Sequence, residues 1–335
     1  MEEPIEQVVP KKKPTWLWIV IGLIVLVVIG IVAYYFGKSK PTEDKDTEVD
    51  QSTEKSNDLS SEASKDIGQT NWSTMDQGPY KDSVSYATST DLLKWTDSGK
   101  ILATHASVPD AVVKDGTIFA YFVDVSTDGI AEQTGMVKSI DGGRSWTERQ
   151  IIKIDGIGDK AVADPDPYLL PDGRIRLYYY DILENRTKKI TESVVNKIYS
   201  AISTDGVNFT QEDGIRFEYE MIFDPDVIKV GDVWRMYIGT DKNRIISATS
   251  TDGKTFTYEG IALENAGVPN IYYDGIRYLL YTAGVEISTS TDGKTFTKTT
   301  NRFDSGKLTA DPGVVKISEN NYLMVYKTSE MKPKN

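Results

Sequence analysis

Five prolines in this chain carry acids or amides at matching offsets. They read Val108-Pro109-Asp110, Asp164-Pro165-Asp166, Asp224-Pro225-Asp226, Val268-Pro269-Asn270 and Asp311-Pro312-Gly313. These acids are the candidates for chemistry, because the chain has a single histidine, His105, and no cysteine. That count excludes a cysteine nucleophile, a zinc–thiolate site and any site built on several histidines. Paired carboxylates remain, one protonated as a general acid and the other ionised as a base or nucleophile. Where such acids crowd together their like charges repel, so raised pKa values are expected.

The elements that must position these acids are legible as repeats. Successive prolines are spaced 56, 60, 44 and 43 residues apart, and an aromatic-rich stretch follows each one. Examples are Phe119-Ala120-Tyr121-Phe122, Leu177-Tyr178-Tyr179-Tyr180 and Trp234-Arg235-Met236-Tyr237. Proline opening a strand stands where its missing N–H matters least. A second motif alternates with the first: a small residue or Ser, then Asp, a turn, an aromatic and usually Thr. Its copies begin at Ser89, Ser139, Ser203, Ser250 and Ser290, as in Ser139-Ile140-Asp141-Gly142-Gly143-Arg144-Ser145-Trp146-Thr147. Asp-Gly between apolar strands marks a tight hairpin. Four short strands per repeat, five times over, predict an all-β five-bladed β-propeller. The chain enters on a hairpin motif and leaves on a proline motif. The strands from about Val84 to Ile101 should therefore complete the blade formed by Asp311 to Thr328, hiding two free sheet edges.

In such a ring the starts of the innermost strands surround one funnel. Residues two apart in a strand share a face, so both acids of a pair are expected to look into it. Asp110, Asp164, Asp224, Asp166, Asp226, Asn270 and Asp311 are thus brought to one cavity, with His105 just upstream of the first inner strand.

The alternating pattern resembles the five-bladed glycoside hydrolase superfamily of arabinanases, β-xylosidases, invertases and levansucrases, over about residues 79–331. The resemblance implies a first-blade Asp as base or nucleophile, which Asp110 matches although it follows its proline instead of preceding it. It implies a second-blade Asp that orients the substrate or tunes the acid, matched by Asp164. It implies a third-blade Glu as acid. No Glu stands within Phe223-Asp224-Pro225-Asp226, so Asp224 or the upstream Glu220 takes that place. Asp166, Asp226, Asn270, Asp311 and His105 are the candidate substrate contacts. These families often place a metal or a water in the channel, but no cofactor and no ligand set is assigned to this chain. The hairpin motif is similar to the Asp-box of sialidases, where it is structural.

The region before the repeats has a different character. Trp16 to Phe36 is uncharged and apolar, long enough to cross a bilayer core of about 30 Å, and carries Trp16, Trp18, Tyr34 and Tyr35 near its ends. It is expected to be an uncleaved transmembrane anchor, longer than a signal-peptide core. Lys11, Lys12 and Lys13 precede it, which orients residues 1–15 to the inside and the head to the outside. Residues 37–78 are rich in Ser, Thr, Asp, Glu and Lys, a composition that makes a disordered linker. The partners expected are a carbohydrate, through a head that is monomeric, and the lipid bilayer, through residues 16–36. The formal net charge of −12 argues against nucleic acid. Hydrolysis of a glycosidic bond by paired carboxylates is the first expectation. A non-catalytic propeller that binds glycans or a surface partner is the alternative.

Overall fold

The computed structural model describes residues 78–127, 132–183 and 194–329. The expected anchor at residues 16–36, and the linker up to residue 77, lie outside the described residues. Among the described residues no helix is long and apolar enough to cross a membrane.

The described residues form five sheets, antiparallel apart from one short parallel pairing. The first blade runs Ala106–Lys114, Thr117–Asp124, Gln133–Ser139 and Gln150–Ile151. The second runs Val162–Leu169, Ile175–Asp181, Val195–Ser203 and Asn208–Gln211. Two short strands extend it: Lys153–Asp155 lies parallel to its outer edge, and Phe217–Glu220 pairs with the start of Val195–Ser203. The third runs Ile222–Val230, Val233–Thr240, Arg244–Ser250 and Thr257–Glu264, and the fourth Asn270–Tyr273, Tyr278–Thr282, Glu286–Ser290 and Thr297–Arg302.

The fifth blade is assembled from both ends of the head. Leu308–Ser318 and Asn321–Ser329 are joined by Ser83–Ser89 and then Thr96–Thr104. Ser83 pairs with Thr328 and Ser89 with Tyr322, so the closure expected from the repeat order is present. It leaves neither terminal half-blade with an open inner edge.

The second strand of each blade is buried along nearly its whole length, as in Thr117–Asp124 and Ile175–Asp181. Neighbouring blades cover both of its faces, which is why these strands read as continuous apolar and aromatic runs rather than as alternation. Four of the tyrosines in these runs do a second job. The hydroxyls of Tyr121, Tyr178, Tyr237 and Tyr281 donate to the carbonyls of Gly206, Gly253, Gly293 and Leu92, at 2.8, 2.7, 2.5 and 2.8 Å. Every acceptor lies in the Asp-box-like turn of the next blade. Each turn is itself closed by its Ser Oγ and Asp carboxylate accepting backbone N–H groups, as Ser250 and Asp252 do from Gly253 and Lys254. Gly253 has φ of +69°, and a Cβ there would stand 2.9 Å from the Trp234 ring, so only glycine fits the approach. At the junction from the fifth blade to the first, the Leu323 side chain packs against Gly143.

Candidate active site

The residue before each of the five prolines has a left-handed backbone: φ is 45° at Val108, 50° at Asp164, 51° at Asp224, 52° at Val268 and 47° at Asp311. Proline pushes its predecessor toward extended conformations, and valine is poorly suited to positive φ. Such strain costs of order 1–3 kcal/mol per residue and gathers where the surrounding structure demands it. Its consequence is a shift of strand register. Pairing skips between Ser107 and Asp110, Ala163 and Asp166, Phe223 and Pro225, and Ala310 and Gly313. Simple alternation would have put both acids of a pair on one face. The bulge instead sorts them into two sets, one before the prolines and one after.

Both sets meet the axis. A cavity of about 20 Å³, room for a water-sized group, is lined from all five blades, with Asp110, Asp164, Asp224, Asp226 and Asp311 among its walls. Of the residues expected at the axis, Asp166 and Asn270 are not among those lining this cavity.

In the post-proline set, carboxylate oxygens of Asp110, Asp166 and Asp226 lie within 4.8 Å of one another. Asn270 braces them: its Nδ2 donates to Asp226 Oδ2 at 2.5 Å, and its Oδ1 accepts the Val314 N–H at 3.0 Å, which fixes the amide's orientation. Asp226 Oδ1 accepts from Ile271 N at 3.2 Å, and Asp110 Oδ1 from Ala111 N at 2.7 Å. Asp166 Oδ2 is buried with no hydrogen-bond partner. Removal from water raises all three carboxyls, and the Asp226 charge raises Asp110 and Asp166 further. The fifth blade supplies Gly313 here, where a Cβ would stand 2.4 Å from Asp110 Oδ1. An all-oxygen donor set with one orphaned carboxylate oxygen fits a hard cation.

In the pre-proline set, Asp224 N donates to Asp164 Oδ2 at 3.2 Å. Desolvation raises both carboxyls; Glu132 lifts Asp164 further, and Asp164 and Asp311 lift Asp224. Lys327 Nζ lies 2.6 Å from Asp311 Oδ2, and both side chains are largely withdrawn from solvent. Asp82 joins them beside Ser107, whose hydroxyl donates to its Oδ2 at 3.4 Å; burial pushes Asp82 up to about 6. The sequence reading missed Lys327, Asp82 and Glu132. For Lys327 there was one signal, a lysine directly after the aromatic and apolar run Tyr322–Tyr326 of a second strand. Asp82 and Glu132 had none.

The two remaining candidates stand elsewhere. His105 Nδ1 is 2.8 Å from the Tyr80 carbonyl, and His105 is not among the residues lining the cavity. Glu220 ends the short strand Phe217–Glu220, with its side chain 49% exposed and 3.7 Å from Lys242. It too is absent from the cavity wall.

An axial cavity ringed by carboxylates stands at the centre of an all-β five-bladed propeller. No protein-family model and no curated protein matches the chain. Solved structures do. An endo-1,4-β-xylanase of Bacteroides thetaiotaomicron VPI-5482 matches with a TM-score of 0.51 and 18% identity, over 66% of this chain and 84% of that one. The catalytic domain of a Coprinopsis cinerea GH62 α-L-arabinofuranosidase gives 0.49 and 13%, over 73% and 97%. A Bombyx mori GH32 β-fructofuranosidase gives 0.49 and 16%, over 65% of this chain and 54% of that one. The chain thus spans about half the length of the fructofuranosidase. At these identities the likeness is one of fold.

Proposed function

We propose that the protein is a membrane-anchored, extracytoplasmic glycosidase that hydrolyses a glycosidic bond at the axial cavity. The observation that carries the reading is the contact between Asp164 and Asp224, two desolvated carboxyls facing the cavity of a propeller whose solved neighbours include glycoside hydrolases. Adjacent carboxyls share a proton, so one of them is a protonated donor near neutral pH. That donor protonates the glycosidic oxygen as its bond to the sugar carbon breaks. Water adds to the carbon, and an ionised carboxylate takes the water's proton. Asp311, ion-paired with Lys327 on the same side of the prolines, fills that role in this reading. Asp110 is committed to Asp166 and Asp226, and Asp224 is preferred to Glu220 because it lines the cavity. No step runs through the post-proline set. Residues 16–36 hold the head at the outer face of a cell membrane, where glycans are within reach.

The test is release of sugar from aryl-arabinosides, xylosides, galactosides, fructosides and sialosides by the purified full-length chain. Turnover should fall by about 10²–10⁴-fold in Asp164→Asn and Asp224→Asn. Turnover that is equal in wild type and both variants would refute the assignment.

A second reading, a non-catalytic glycan-binding propeller, is favoured by one observation: among the described residues, no glutamate lines the small cavity. Glycan binding by a folded wild-type protein that releases no sugar from the panel would establish it.

A further inference from the structure

Lys327 is flanked by acids from both ends of the head. In the pairing that closes the ring it lies opposite Val84, and Thr328 lies opposite Ser83. The Asp82 carbonyl accepts the Ala106 N–H at 3.3 Å, which holds Asp82 in line with the strand it precedes. Asp82 is therefore a diagonal neighbour of Lys327 on the same face, within reach of a long side chain. On its other side Lys327 is opposite Ala310, next to Asp311.

One ammonium thus stands between two carboxyls that are 6% and 3% exposed, Asp82 and Asp311. It comes within 2.6 Å of Asp311 Oδ2 yet makes no hydrogen bond there, so it is not aimed at Asp311 alone. Asp82 Oδ2 takes a long bond, 3.4 Å, from the Ser107 hydroxyl. Asp224 also acts on Lys327, while His105 turns its Nδ1 to the Tyr80 carbonyl. Burial raises Asp82 to about 6; Lys327 opposes that rise and Asp311 adds to it. Burial works against the Lys327 charge, but Asp311, Asp82 and Asp224 together preserve it.

We propose that Asp82 is a positioning residue for Asp311: it offers the Lys327 ammonium a second carboxylate, so the charge on Asp82 sets how firmly Lys327 holds Asp311. The proposal rests on the reading of Asp311 as the carboxylate that takes the water's proton. With Asp82 neutral, Lys327 belongs to Asp311 and fixes it beside the cavity. With Asp82 ionised, the ammonium is divided between two carboxylates and its hold on Asp311 loosens. The same three residues join the first strand of the head to its last two, so the device sits where the ring closes.

The test is a double-mutant cycle on stability in the full-length chain, with Lys327→Met, Asp311→Asn and both together, at pH 5 and pH 8. The Lys327–Asp311 coupling, expressed as an equilibrium constant, should weaken about fivefold or more between the two pH values. In an Asp82→Asn background, where position 82 stays uncharged, the coupling should not weaken. A coupling that holds or strengthens with pH in wild type would overturn the proposal, and so would equal weakening in Asp82→Asn. This readout needs no turnover, so a head that cleaves no sugar fails the glycosidase reading alone. Where sugar is released, kcat of wild type and Asp82→Asn should agree at pH 5 and differ at pH 8; agreement at both would remove Asp82 from the positioning of Asp311. If Lys327→Met does not fold, the cost of Asp311→Asn is read instead. It should fall from pH 5 to pH 8 in wild type and not in Asp82→Asn, and equal behaviour in the two backgrounds would overturn the proposal.

Discussion

Lys327 Nζ stands 2.6 Å from Asp311 Oδ2, on the strand that zips the end of the head to its beginning. Lys327 is opposite Ala310 on one side and Val84 on the other, so it sits where the ring closes. Asp311 raises its pKa strongly despite burial, and Asp82 and Asp224 add to the effect. One residue thus serves both the closure and the pre-proline acids.

Lys327→Met should therefore destabilise the head by about 3–5 kcal/mol, because it leaves the buried Asp311 carboxylate without its partner. Lys327→Arg should recover much of that loss. Chemical denaturation of both variants is the measurement. A Lys327→Met protein as stable as wild type would mean that the pair contributes nothing to closure.

The tyrosine latches are expected to hold the blades together in the plane of the ring. Tyr237→Phe removes the donor to Gly293 and leaves a buried carbonyl unsatisfied, at a cost of about 1–3 kcal/mol. Tyr258→Phe, at a 44% exposed tyrosine, should change stability by less than about 0.5 kcal/mol. Equal effects in the two variants would remove the latches from the account.

Stability without added metal should be greatest in mildly acidic solution. Asp82 rises from 3.8 to about 6 on folding, so between those values the folded state holds more protons than the unfolded chain. Its contribution is complete below about pH 4 and is lost as pH rises through 6. The raised carboxyls of Asp164 and Asp224 act in the same direction. The Asp-box acids act oppositely. Hydrogen bonds to Asp141, Asp205, Asp252 and Asp292 lower their pKa values, so their contribution is present above about 3.8 and disappears as pH falls through the folded values. Tm measured in chelator from pH 3 to 8 should pass through a maximum between about pH 4 and 6. A Tm still climbing from pH 6 to 8 would contradict the burial of the axial acids.

Val268 offers a test of the strained backbone. At φ of 52° it is a β-branched residue in the left-handed region, ahead of a proline. Asparagine tolerates that conformation, so Val268→Asn is expected to stabilise the head by up to about 1 kcal/mol. A loss of stability would show that valine's packing outweighs the strain.

The five blades, the order of their motifs and the closure by Ser83–Ser89 were legible in the sequence. Each follows from a local pattern: Ser-x-Asp turns, prolines at strand starts, and apolar second strands. The candidate site was legible as composition, since every aspartate on the cavity wall flanks one of the prolines. Its internal arrangement was not. Reading the flanking acids by strand alternation merges them into one face, whereas a left-handed residue before each proline breaks the alternation at that point.

By itself, then, the sequence determined a five-bladed ring with aspartates around its axis, because turn chemistry and apolar runs are recorded residue by residue. Only the tertiary structure decided which aspartates touch. Closing the ring brought Lys327 and Asp82 to Asp311, set Asn270 against Asp226, and left Glu220 at the edge of a blade. The reason is physical: which side chains meet across an axis depends on register shifts and on the angle at which each blade closes on the next. Those are properties of the assembled ring, and no single strand carries them.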